Sequence, residues 1–243
     1  MSDLNKLETV NGKRTLITGV TGGLGEIIAK KFKDCGQEII GIGRSQEKLN
    51  KLNSYCDEKI VLNLNNEQDV KNFSKQIKPI DNIILSNGIH GARPLRMTSK
   101  QYLNDIIQSN LISTLDFLAN LIRSNKINRP GRIIFISSIS SQIGANTAVP
   151  YAASKAGTEA ALAGLARDVL KKEITVNSIC PAPIETPLWQ GNIKNVVTNL
   201  HDYPLGLGKP EDVANACIFL CLNGSKFITG EKIIMDGGAN WIL

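Results

Sequence analysis

The chain has 243 residues, 42% of them hydrophobic, which is enough to bury one sizeable core. It holds no run of about 18 apolar residues, no apolar leader in Met1-Ser2-Asp3-Leu4-Asn5-Lys6, and five scattered cysteines with two histidines. A membrane span, a disulfide framework and a metal site are therefore not expected, and a cytoplasmic protein is. The net charge of +6 reads as a lysine-rich surface rather than a nucleic-acid face, because no basic patch is interleaved with aromatics.

Residues 1–12 are polar and read as a frayed arm. Lys13-Arg14-Thr15-Leu16-Ile17-Thr18 is the first strand-like run, and Thr18-Gly19-Val20-Thr21-Gly22-Gly23-Leu24-Gly25 follows at once. Ile27, Ile28, Ala29 and Phe32 then recur at helical spacing among charged residues, predicting a helix near 23–35. A strand, a glycine-rich turn and a helix open a dinucleotide-binding βαβ unit. The glycines allow the backbone to approach a pyrophosphate, and the helix N-terminus offers free N–H groups.

Further strands are predicted at 38–42, 59–62, 82–86, 132–137, 174–179 and 232–235. Helices fall between them near 45–54, 66–77, 98–126, 151–172 and 210–222. This alternation predicts an α/β fold: one doubly wound Rossmann domain over residues 1–243, with a seven-stranded parallel sheet flanked by helices on both faces. Thr18, Gly43, Asn87, Ser138 and Pro181 all stand just past strand ends, the edge at which such sheets bind ligands. Residues 183–206, with Trp189, His201 and Tyr203, form the least regular long stretch.

Tyr151-Ala152-Ala153-Ser154-Lys155 places a phenol and an ammonium four residues apart, on one helix face. A free tyrosine has a pKa of about 10. A nearby cation favours the phenolate, so Lys155 is expected to depress the pKa of Tyr151 and make the pair a proton-transfer device.

These motifs together resemble the short-chain dehydrogenases/reductases of the classical type. Thr18-Gly-x-x-x-Gly-x-Gly25 is similar to that family's cofactor motif and Tyr151-x-x-x-Lys155 to its active-site motif. Ser138, 13 residues before Tyr151, matches its catalytic serine, and Asn110 its catalytic asparagine. The match continues through Pro181, Thr186 and Asp236-Gly237-Gly238. The resemblance implies catalysis by Ser138, Tyr151, Lys155 and Asn110. Tyr151 would act as general acid, Lys155 would also bind the nicotinamide ribose, Ser138 would orient the substrate oxygen, and Asn110 would hold a relay water. It implies cofactor contacts at Thr18, Gly19, Thr21, Gly23, Leu24, Gly25, Arg44, Ser45, Asn63, Leu64, Asn87, Gly88, Tyr151, Lys155, Pro181, Ile184 and Thr186. It also implies a substrate flap at about 183–206.

Gly43 occupies the position of the family's ribose-binding acid, and Arg44 follows it. An acid there would repel a 2′-phosphate, whereas Arg44 can bind one bidentately with help from Ser45. NADP(H) is therefore the expected cofactor, although Gly22 replaces the basic residue often found in the glycine turn. The residues Pro204-Leu-Gly-Leu-Gly-Lys-Pro210-Glu211-Asp212-Val213-Ala214 and the length resemble the 3-oxoacyl-[acyl-carrier-protein] reductase type. The expected activity interconverts a carbonyl and a secondary alcohol, on an acyl thioester offered by an acyl carrier protein. The alternatives are a keto-sugar or small-ketone reductase, or a non-catalytic nucleotide sensor. A homotetramer or dimer is expected from the family.

Overall fold

The structure is a computed structural model, and it describes residues 10–52, 54–144, 146–185 and 203–239. Its strands are β1 (Arg14–Thr18), β2 (Glu38–Gly43), β3 (Glu58–Val61), β4 (Ile80–Leu85), β5 (Ile127–Ile136), β6 (Ile174–Pro181) and β7 (Lys232–Met235). All pair in parallel, in the order β3-β2-β1-β4-β5-β6-β7. The chain winds outward from β1 to β3, then crosses back to place β4 beside β1. The crevice at that reversal lies outside the strand C-termini.

The helices are α1 (Gly23–Asp34), α2 (Gln46–Asn50), α3 (Glu67–Gln76), α4 (Lys100–Ile107), α5 (Ser113–Arg123), α6 (Ser140–Ile143), α7 (Val149–Val169) and α8 (Pro210–Cys221). Successive strand residues point to opposite faces, so each buried strand serves two cores. Leu16, Ile83, Ile133 and Val176 pack with Phe117 and Leu121 of α5 and Leu162 of α7 on one face. Ile17, Ile84, Ile134 and Ile179 pack with Ile28 and Phe32 of α1 and Val213 and Leu220 of α8 on the other. Both faces are covered, which explains why the strands read as unbroken apolar runs. Among the described residues, no helix is long and apolar enough to cross a membrane.

Two elements depart from expectation. β5 begins at Ile127, five residues before its predicted start, with Ile127 beside Ile80 and Gly131 beside Ile174. Arg129-Pro130-Gly131 looks like a turn, but the strand runs through it with a shift of register. The expected helix over 98–126 is interrupted at Gln108–Ile112 by a π-helical turn between α4 and α5. Such a turn widens the helix at one point, and here that point holds Asn110.

Candidate functional site

Thr18 ends β1 and is fully buried. Its hydroxyl donates to Asn87 Oδ1 at 2.7 Å and accepts from the Ser86 backbone N–H at 3.2 Å, joining the turn after β1 to the turn after β4. Between them Gly19 has φ +66°, and a Cβ there would stand 2.7 Å from the Ser86 carbonyl oxygen. A Cβ on Gly25 would run into the Gly19 carbonyl. The first turn of α1 therefore lies directly against the glycine turn, as a phosphate cradle requires.

From this turn a cleft of about 280 Å³ runs along the strand ends. Gly19, Thr21, Asn63, Leu64, Asn87 and Gly88, all expected at a cofactor site, line it. Arg44 also lines it, together with Lys48 of α2, which the sequence did not single out. The signal was there: Arg44 and Lys48 are four residues apart. No carboxylate stands among the described lining residues. Gly43 lines it too, and a Cβ there would stand 2.9 Å from Thr21 Cγ2. Asn63 closes a tight turn by accepting at Oδ1 from Asn65 N–H at 3.1 Å. Ser45 does not line the cleft; its hydroxyl accepts from Lys48 N–H and caps α2. Thr18, Gly23, Leu24, Gly25, Pro181 and Ile184 stand outside the lining as well. Pro181 instead ties the serine turn to the sheet, its carbonyl accepting from Ile139 N–H at 2.9 Å. Ile184 and Gly208 form an isolated bridge that clips the ends of the expected flap. Thr186, Trp189 and His201 lie outside the described residues.

At its far end the cleft meets the proposed catalytic groups. A Cβ on Gly88 would be 3.1 Å from Asn110 Oδ1 and 3.5 Å from Lys155 Nζ. Asn110 is fully buried. Its Oδ1 accepts from Ile89 N–H at 2.8 Å, and its Nδ2 donates to Ser154 Oγ at 3.0 Å. The Ser154 hydroxyl donates to the Tyr151 carbonyl at 2.7 Å. Asn87 Nδ2 donates to Thr114 Oγ1, which donates to the Asn110 carbonyl. One hydrogen-bonded path thus joins the nucleotide turn to α7. The π turn places Asn110 in that path, where an exposed helix position would have had no such partners.

Ser138, Tyr151 and Lys155 converge as expected. The Ser138 hydroxyl lies beside the Tyr151 phenol, close enough to pull its pKa down. It also lies 3.2 Å from Ser140 Oγ and accepts from Ser140 N–H. Lys155 is buried and donates from Nζ to the Ile136 carbonyl at 2.8 Å, with the Phe135 ring 4.6 Å away. Desolvation lowers its pKa to about 8, against the pull of Glu159 and Cys180. The expected depression of the Tyr151 pKa is corrected. Lys155 Nζ is 5.8 Å from the Tyr151 ring and turned to the β5 carbonyl. Burial raises the phenol above its ordinary value, and the Ser138 hydroxyl only partly offsets it. Tyr151 stays protonated at neutral pH, which suits a proton donor.

Two further residues meet this group. The His90 ring packs edge-on against Tyr151 at 4.8 Å, and desolvation and the Lys155 charge hold its pKa below the ordinary value. Its place two residues after Gly88 was the available signal. Glu159 is buried one turn beyond Lys155 on α7.

Known proteins match this arrangement along nearly the whole chain. A family model described as enoyl-(acyl carrier protein) reductase matches residues 19–240. The 3-oxoacyl-[acyl-carrier-protein] reductase of Rickettsia bellii is 32% identical over 237 residues, covering 94% of this chain and 97% of that protein. The protein of the same name from Vibrio cholerae is 29% identical, covering 94% and 98%. A crystal structure from Brucella melitensis, titled short-chain dehydrogenase/reductase, glucose/ribitol dehydrogenase, superposes with a TM-score of 0.86 at 26% identity. It covers 94% of this chain and 97% of that one.

Proposed function

The chain belongs to the short-chain dehydrogenase/reductase family, and from that premise we propose that it is an NADP(H)-dependent reductase of a 3-oxoacyl thioester carried by an acyl carrier protein. The observation that carries the reading is the Ser138–Tyr151 hydroxyl pair beside buried Lys155, at the end of a cleft bearing Arg44 and Lys48. The relatives, named as 3-oxoacyl-[acyl-carrier-protein] reductases, supply the substrate class.

The residues fit a dinucleotide. Gly19 and Gly25 close a cradle that a side chain would fill, and Arg44 and Lys48 offer two cations where a ribose 2′-phosphate would lie. A bound NADPH supplies the hydride. Ser138 holds the carbonyl oxygen by a hydrogen bond, fixing its distance from the phenol. Tyr151 gives that oxygen its proton, and its raised pKa keeps the proton available. Lys155 lies below, and its charge stabilises the phenolate left behind. Asn110 fixes Ile89 and Ser154, and so the spacing of the cleft floor from α7.

The family model's name points instead to a carbon–carbon double bond, and the Brucella title to a sugar alcohol. A paired serine and tyrosine hydroxyl suits a developing oxyanion better than a carbon centre. A cytoplasmic location and a tetramer or dimer accompany this reading; light scattering tests the assembly.

The test is NADPH oxidation with acetoacetyl, crotonyl and keto-sugar substrates, repeated with NADH. The acetoacetyl thioester should be reduced fastest, and with NADPH. Tyr151→Phe should lose about 10²–10⁴-fold in kcat, the range of general acid catalysis, while still binding NADPH by fluorescence. An active Tyr151→Phe, or reduction with NADH alone, defeats the proposal.

A further inference from the structure

Glu159 leaves α7 one turn after Lys155, on the same helix face. Its side chain has 0% exposure. Carboxylates are rarely this buried unless paired, and Glu159 is met from four elements. Ser137, just past β5, donates to Oε1, and the Ser141 hydroxyl of α6 reaches the same oxygen. Gln142 Nε2, also of α6, donates to Oε2 at 2.7 Å. Cys180 Sγ of β6 lies 3.3 Å from Oε1, and Lys232 Nζ of β7 lies 3.1 Å from Oε2.

Three of these partners bracket Ser138: Ser137 precedes it, and Ser141 and Gln142 follow. Ser138 makes its own hydrogen bond to Ser140 and stands beside the Tyr151 phenol. The serine turn is thus tethered on both sides to one carboxylate, leaving the hydroxyl of Ser138 aimed at the phenol. The same carboxylate stands one turn from the ammonium of Lys155.

We propose that Glu159 is a positioning residue of the reductase site, anchoring the turn that carries Ser138 and holding a buried negative charge one turn from Lys155. This rests on the reductase reading above.

Burial raises the Glu159 carboxyl, but hydrogen bonds from Ser137, Ser141, Lys232 and Cys180 outweigh it, so the group is ionised at neutral pH. That charge opposes the desolvation of Lys155. The other groups facing the pair are His90 and Tyr151 beside Lys155, and Cys180 and Lys232 beside Glu159. Cys180 is pushed up to about 12, chiefly by burial, and stays a neutral thiol. Removing a negative charge makes every nearby group lose its proton at lower pH. The first deprotonation of the Tyr151–Lys155 pair must then move down, whichever of the two gives it up.

Glu159→Gln keeps the shape and removes the charge. Its Lys155 titration, followed by NMR of the ligand-free protein with labelled lysine, should fall by about half a unit or more. The alkaline limb of kcat/KM for carbonyl reduction should fall with it. The looser serine turn should cut kcat roughly tenfold, with the NADPH KM within about threefold of wild type. Lys232→Met leaves the carboxylate unopposed and should move both titrations upward. An unchanged Lys155 titration and alkaline limb in Glu159→Gln, with only a lower melting temperature, overturns the proposal. If that variant does not fold, the lack of an upward shift in Lys232→Met overturns it. A wild-type protein inactive on every carbonyl compound would instead sink the reductase reading, while the Lys155 titration still reports on Glu159.

Discussion

Gly19 and Gly12 share a backbone conformation and differ in their surroundings. Gly19 has φ +66° and the Ser86 carbonyl 2.7 Å from a would-be Cβ; Gly12 has φ +73° and nothing within 4 Å. A left-handed alanine costs about 1–2 kcal/mol at either site. Only at Gly19 must the turn after β4 also move, and with it the floor of the cleft. Gly19→Ala should therefore weaken NADPH binding by about tenfold or more, whereas Gly12→Ala should leave it unchanged; a fluorescence titration of both variants measures this. The glycine turn was legible in the sequence because its constraint is local: strand, turn and helix follow one another within Lys13–Phe32. Glu159 was not. In the sequence it sits among alanines on a helix, and its partners arrive from 17 to 73 residues away, with Lys232 the farthest. The depressed phenol expected for Tyr151 failed for a related reason. Spacing shows that two groups share a face, but not that Lys155 turns toward the Ile136 carbonyl.

The strands were legible as elements because a sheet covered on both faces demands continuous apolar runs, and only their ends were misplaced. β5 was cut short because Pro130 and Gly131 are poor strand residues, and what keeps the run in the sheet is the pairing of Ile127 with Ile80 and of Gly131 with Ile174 on either side of Pro130. The π turn at Gln108–Ile112 leaves no trace in periodicity, since one widened turn barely disturbs the apolar stripe. At the other end of the sheet, Arg14 opens β1 and is buried. Its guanidinium bonds Glu38 at the start of β2 at 2.8 Å, Glu58 at the start of β3, and the Lys78 carbonyl at 2.9 Å. Three elements are held at their N-terminal ends, remote from the catalytic edge. Arg14→Ala should lower stability by about 1–3 kcal/mol, the range for hydrogen bonds to charged groups whose partners are half exposed. Urea denaturation should show the loss, with kcat unchanged.

Across the whole molecule, buried thiols link stability to alkaline pH. Desolvation raises Cys56 to about 11 and Cys180 to about 12, and raises Cys217 well above its ordinary value. The unfolded chain ionises these thiols near pH 9, while the folded chain keeps Cys56 protonated until about 11 and Cys180 until about 12, with Cys217 also held above its ordinary value. Stability is therefore lost as pH rises above 9. Lys155 acts the other way between about 8 and its ordinary value of 10.5, but one lysine is outnumbered by four thiols, since burial raises Cys221 as well. The urea midpoint should be lower at pH 10 than at pH 8. Cofactor choice is also readable at this scale. A ligand at 100 times its Kd adds about 2.7 kcal/mol to stability, and for a chain of this length each kcal/mol is worth about 2–4 °C. NADPH at that level should raise the melting temperature by roughly 5–11 °C. NADH at the same concentration should raise it less, because Arg44 and Lys48 then face a bare ribose hydroxyl. The double variant Arg44→Ala, Lys48→Ala should bring the two cofactors to the same shift. The difference isolates the two cations, since every other contact along the cleft is common to both nucleotides. Equal shifts in the wild-type protein would remove Arg44 and Lys48 from the cofactor site.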